Sequence, residues 1–173
     1  WAGAYLEPTS GLSVEVMTHG NAVLASLGGG PEVLSLGEDG VARSAGMSLS
    51  REGDSLRLER PGDNLRGLAA RLDGDVSTDI AGRYWSEETE SVLEIEAVGS
   101  ALAGRFDGFL GRGPMHQMRP FAGDVWKLAT PRGMDAPAPG DWTVHIRRSA
   151  SGTVEGLGLG CWLARNVAFT RLA

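Results

Sequence analysis

One cysteine and one lysine occur among the 173 residues, and each scarcity excludes something. Cys161 has no partner for an internal disulfide, so packing alone must hold the chain together, and a reducing, cytoplasmic setting is expected. Lys127 has Asp124 three residues before it, so a Ser-x-x-Lys dyad, in which the amine helps take the hydroxyl proton, cannot be built. The Gly-x-Ser-x-Gly elbow is missing too. No apolar run approaches the roughly 20 residues of a membrane-spanning helix, and the N-terminus does not join a charged segment to a signal core. Trp1–Ser77 holds 11 acidic and 6 basic residues and Thr78–Ala173 holds 11 and 10, within a net charge of −6. Without clustered Lys and Arg, neither nucleic acid nor a membrane surface is an expected partner. His19, His116 and His145 are scattered, none at metal-ligand spacing, so no metal or cofactor is expected.

What is abundant is glycine, with 26 residues, beside 8 prolines and 42% hydrophobic residues: a chain that folds and turns often. It also repeats. Trp1-Ala2-Gly3-Ala4-Tyr5 recurs as Ile80-Ala81-Gly82-Arg83-Tyr84. Each copy is followed by a polar turn and then by an alternating segment, Leu12–Val16 or Leu93–Ala97, whose period of two puts one face on a core. Each then turns at glycine and re-enters an apolar strand, Ala22–Leu27 or Ala101–Phe106. Two like domains follow, 1–77 and 78–173. In the first, Glu32–Leu36, Val41–Ser44, Ser55–Glu59 and Leu65–Leu72 read as strands, the last with a short helix as its alternative. Turn signals every 8 to 12 residues point to all-β barrels or sandwiches. In the second, Val125–Ala129, Trp142–Arg147 and the apolar stretch Cys161–Leu172 supply walls, and Gly156–Gly160 suits tight bends at barrel corners. Hairpin-linked strands with short turns favour closed up-and-down barrels. Trp1 opens the chain directly in a strand-like stretch without a methionine, as a fragment would.

Two segments break this rhythm: the Gly-rich turn Phe109–His116, with exposed apolar residues, and the loop Ala129–Gly140, too long for a hairpin and stiffened by three prolines. The remaining features read as structure. Cys161, beside Trp162, is a buried small hydrophobe. Glu87, Glu88 and Glu90 form a solvated turn, and Gly28-Gly29-Gly30 a hairpin turn rather than a phosphate loop. His19 and His145 read as solvated, and His116 as packed. Arg132 and Asp135 stand out because they sit near the middle of the long loop, where an Arg could grip a carboxylate and an Asp an ammonium group.

With two barrel-like repeats, the Phe109–Met118 turn and the Trp126–Trp142 region in view, the whole chain resembles the C-terminal portion of the bacterial D-aminopeptidase family. The resemblance implies two consecutive eight-stranded antiparallel up-and-down, lipocalin-like β-barrels. It implies an N-terminal catalytic domain of the penicillin-binding-protein and β-lactamase type, upstream of Trp1, that carries the Ser and Lys chemistry. It also implies that the loop Ala129–Gly140 enters that domain's cleft and restricts substrates to those with a free N-terminal D-residue. On this basis Asp135 would lie nearest the substrate's amino group, with Arg132, Gly133 and Met134 shaping the wall. The parent would release N-terminal D-amino acids from peptides, amides or esters by an acyl-enzyme route; this chain alone would lack the nucleophile. A homodimer stays open. So do two other readings: barrels that bind a small apolar ligand inside, and a purely structural or dimerising module.

Overall fold

A computed structural model describes residues 1–129, 140–162 and 164–173. Among them, strands and one 3-10 turn at Pro61–Asp63 are the only regular elements. The first eight strands are β1 (Gly3–Glu7), β2 (Leu12–His19), β3 (Ala22–Ser26), β4 (Glu32–Leu36), β5 (Val41–Arg43), β6 (Ser48–Glu52), β7 (Ser55–Arg60) and β8 (Leu65–Leu72). Each pairs antiparallel with the next, and β8 returns to β1 to close barrel 1. The second set is β9 (Gly82–Ser86), β10 (Ser91–Val98), β11 (Ala101–Gly108), β12 (Gly111–Arg112), β13 (His116–Ala122), β14 (Val125–Leu128), β15 (Trp142–Arg148), β16 (Val154–Gly160) and β17 (Val167–Arg171). β12 is a short flap folded back on β11, and the other eight close barrel 2 through the β17–β9 and β10–β11 pairings. The fold is therefore all-β: two eight-stranded antiparallel up-and-down barrels. Closure removes the unpaired edges that an open sheet of this size would present.

Period-two alternation fills the interiors. Val14, Val16, Leu34, Leu49, Leu56 and Leu58 meet inside barrel 1, and Tyr84, Leu93, Ile95, Leu102, Met118 and Leu157 inside barrel 2. Such side chains occupy the space in which a barrel of eight strands would hold a ligand. The repeated motif has one structural job in both copies. The Tyr84 hydroxyl donates to the Ile80 carbonyl at 2.8 Å, and the Tyr5 hydroxyl to the Trp1 carbonyl at 3.0 Å. An arginine from the closing strand, Arg171 or Arg71, lies 5.8 Å from the tyrosine ring centre. The glycine two residues before each tyrosine has a φ that side chains rarely adopt, +150° at Gly82 and +154° at Gly3, and leaves room for that arginine. Each barrel is thus fastened where its first and last strands meet. Tyr84→Phe is expected to cost about 1–2 kcal/mol in urea unfolding, because it orphans a buried carbonyl. Tyr5→Phe should cost less, its hydroxyl being only part-buried; equal losses would contradict this account.

Leu65–Leu72 is a strand throughout, as read, and its helical alternative falls away. Other local expectations are corrected. Gly156–Gly160 forms no corner: it runs through β16 in continuous register with β15, the one register shift falling before it at Glu155, with Leu157 and Leu159 in the core and the glycines on the outer face. Of the stretch Cys161–Leu172, only Val167–Arg171 is strand among the described residues; Cys161 is buried but follows β16. The turn Phe109–His116 contains the β12 flap, and His116 already opens β13.

Candidate functional site

The residues singled out in the long loop, Arg132, Gly133, Met134 and Asp135, lie outside the described residues. Both ends of that connection are placed, and they root it at the junction of the two barrels. β14 and β15 pair up to Leu128 and Trp142. Inside the barrel mouth the Trp142 ring packs against Phe106 (centroids 6.0 Å apart), which packs in turn against Phe169 (6.1 Å). On the outside, the Asp141 amide donates to the Gly28 carbonyl of barrel 1 at 3.1 Å, and the Asp141 carboxylate pairs with Arg119. The Gly28–Gly30 turn is therefore a hairpin turn, as expected, and also a clamp on the foot of the loop.

This clamp belongs to a wider contact. The end of barrel 1 that bears the turns after β1, β3 and β7 abuts the outer face of β14, β15 and β16. Glu7, buried, shapes the first turn by accepting from the Thr9 amide (3.1 Å), the Ser10 amide (2.7 Å) and the Ser10 hydroxyl (2.5 Å). The backbone of that turn then lies against Gly160: a Cβ there would stand 2.6 Å from the Gly11 carbonyl carbon and 2.8 Å from the Ser10 oxygen. Asn166 donates to the Pro8 carbonyl at 3.2 Å, Arg165 to the Asn64 carbonyl at 2.9 Å, and the Arg60 guanidinium sits 4.7 Å from the Trp162 ring centre. The segment joining the barrels is pinned as well. Trp126 donates to the Ser77 carbonyl at 2.8 Å, and Arg148 bridges Asp79 and Asp124. The Arg148 and Ser77 hydrogen bonds hold the Asp79 carboxyl at about 2.

At the centre of the junction is Lys127, 6% exposed and one residue before Leu128. Its ammonium donates to the Ser13 hydroxyl and, at 3.3 Å, to the Thr143 hydroxyl, and it lies 4.8 Å from the Phe121 ring centre. Ser13 and Thr143 also bond to each other at 2.8 Å across the two barrels. Burial away from water lowers the Lys127 pKa to about 8, while Asp141 and Glu15 pull it back up. Ser13 beside a lysine of lowered pKa has the makings of an activated nucleophile. Ser13 is only 1% exposed, however, and Thr143 competes for the same proton donor, so the cluster is a fastening rather than a reaction centre.

His145 is a correction. It points outward from β15, as the alternation required, but it is only partly exposed, lying over Gly158 beside Asn166. Its ring covers Gly158, Nδ1 is buried without a hydrogen-bond partner, and burial together with nearby Arg147 lowers its pKa to about 4. His116 is half-buried with Nε2 unpartnered, His19 is exposed, and Glu87, Glu88 and Glu90 are exposed in a turn. Among the described residues no three His, Cys, Asp or Glu side chains gather as metal ligands, and no helix is long and apolar enough to cross a membrane. Sequence reasoning passed over Lys127, Ser13 and Thr143 as site residues. The available signal was a lone lysine in the otherwise apolar run Val125-Trp126-Lys127-Leu128.

Two filled barrels, docked through a polar cluster with a long connection rooted at their junction, form a double-barrel module. The family described as D-aminopeptidase, domain B, matches residues 1–170, and the chain belongs to it. It is 48% identical over 176 residues to a D-aminopeptidase of Cereibacter sphaeroides, covering 99% of this chain and 34% of that protein. It is 40% identical over 173 residues to D-aminopeptidases of Brucella ovis and Brucella suis, covering 99% of this chain and 33% of each of theirs. The chain thus spans about a third of the length of these relatives.

Proposed function

We propose that this chain is the accessory double-barrel part of a D-stereospecific aminopeptidase. In this reading its loop Ala129–Gly140 narrows the cleft of a β-lactamase-like serine hydrolase domain carried elsewhere in the same cytoplasmic polypeptide. The observation that carries the reading is the family match over residues 1–170. The clamp at the foot of the loop supports it: a specificity loop must be held to within a fraction of an ångström of its working position, and here both barrels hold its base. The filled interiors of both barrels count against the alternative of a ligand bound inside.

The barrels divide near Ser77, and neither supplies the acyl-enzyme nucleophile. The loop excludes long or N-blocked substrates by sterics. The Asp135 carboxylate pairs with the protonated amino group of a free D-residue, while Arg132, Gly133 and Met134 shape the wall around it. A charge-assisted hydrogen bond of this kind contributes about 1.5–3 kcal/mol. Asp135→Ala in the full-length protein is therefore expected to lower kcat/KM for free-amine D-residue amides by about 10- to 100-fold, with N-acylated analogues unaffected. Deleting 130–139 should raise hydrolysis of N-acylated and longer D-peptides relative to free-amine substrates. Equal changes for both substrate classes would refute the gating role.

A further inference from the structure

The connection between β11 and β12 is two residues long, Phe109 and Leu110, and their exposures are 100% and 98%. Such tight turns ordinarily carry Gly, Asn, Asp or Ser, whose polar or minimal side chains suit a position surrounded by water. The hairpin beneath is firmly built. Asp107 pairs with Arg112 and Gly108 with Gly111, and the Gly113 amide donates to the Phe106 carbonyl at 2.9 Å. Glu94 takes Arg112 at 2.7 Å and Arg105 at 2.8 Å. Two large apolar side chains are thus held out on a rigid tip that contributes nothing to either core.

The topology fixes which way the tip faces. In an up-and-down barrel alternate connections lie at the same end, so the turns after β9, β11, β14 and β16 share one end of barrel 2. The tip therefore stands at the end from which the connection after Leu128 departs.

We propose that Phe109 and Leu110 seat in an apolar socket on the catalytic part of the same polypeptide, within the two thirds of the relatives' length that lie outside this chain. This rests on the gating reading only in that both direct the same end of barrel 2 at that part. A second copy of the chain is the poorer occupant: a stable dimer needs about 800 Å² from each partner, far more than two side chains on a tip supply. Within one polypeptide the tether provides the effective concentration, so a contact this small suffices.

The test is to place a benzophenone amino acid at position 109 of the full-length protein, irradiate it and map the cross-linked peptides. The control carries the same group at Val98, which is exposed at the opposite end of barrel 2. Cross-links from 109 into the catalytic part of the same chain are expected, several-fold more abundant than from 98, and they should persist when 130–139 is deleted. Cross-links joining two copies, or a yield no higher than at 98, would overturn the proposal. Substrate discrimination is read separately. If cross-links persist while deletion of the loop leaves discrimination unchanged, the gating reading fails and the socket stands; the reverse pattern removes the socket alone.

Discussion

Gly160→Val is expected to part the two barrels while leaving barrel 2 folded. Gly160 ends β16, valine suits a strand, and the atoms nearest the new Cβ all belong to barrel 1. Opposition comes from across the junction, where the new Cβ would meet backbone atoms of Ser10 and Gly11 rather than a side chain able to rotate away. The turn must retreat, and with it go the Asn166–Pro8, Arg165–Asn64 and Asp141–Gly28 hydrogen bonds. Overpacking of this kind costs up to about 3 kcal/mol. Urea unfolding of the unaltered chain should show one transition and that of the variant two, and the Asp141 amide should exchange with solvent faster. A single unshifted transition would mean that the barrels are not coupled through this contact.

Lys127→Met is expected to stabilise the chain at neutral pH. In the folded state the ammonium loses its proton near pH 8, whereas in the unfolded chain it does so near 10.5. Between these values the unfolded state binds more protons, so stability rises with pH across that window; below pH 8 the lysine is charged in both states and the full cost of burial is present. At about 1.4 kcal/mol per pH unit, the cost is on the order of 3 kcal/mol. Methionine keeps the unbranched stem and needs no proton, and Ser13 and Thr143 still satisfy each other. Urea denaturation at pH 7 and pH 10 tests this. The unaltered chain should gain stability relative to the variant at the higher pH. A variant clearly less stable at pH 7 would show that the hydroxyls and the Phe121 face more than offset the burial of the charge.

Most of the fold was legible in the sequence because alternation and turn spacing are local signals. The Ala-Gly-x-Tyr repeat was the most informative, since a hydroxyl, a glycine φ and an arginine make the same clasp in both barrels. β6 was passed over because Ser48, Ser50, Arg51 and Glu52 leave only Leu49 to mark its buried face. The glycines of β16 misled for another reason: glycine in a strand marks either a bend or a close approach, and at Gly160 only the position of barrel 1 tells which. The same distance in sequence hid the junction. Ser13 and Lys127 lie 114 residues apart, and neither has a neighbour in the chain that announces the other. Residues 130–139 carry the proposed specificity; what the fold adds is the placement of their two anchors.

The docking arrangement also sets an order of assembly during synthesis. Barrel 1 is complete once Leu72 has been made, whereas β14, β15 and β16, which cover its turn-bearing end, are made later. That end must wait in water on a nascent chain, where bare apolar surface invites aggregation. Toward β14–β16 it presents Ser10, Gly11 and Ser13, groups that water satisfies as well as Lys127 and Thr143 later do. The junction is hydrophilic on its waiting side, so half-made chains can queue on a polysome without sticking to one another.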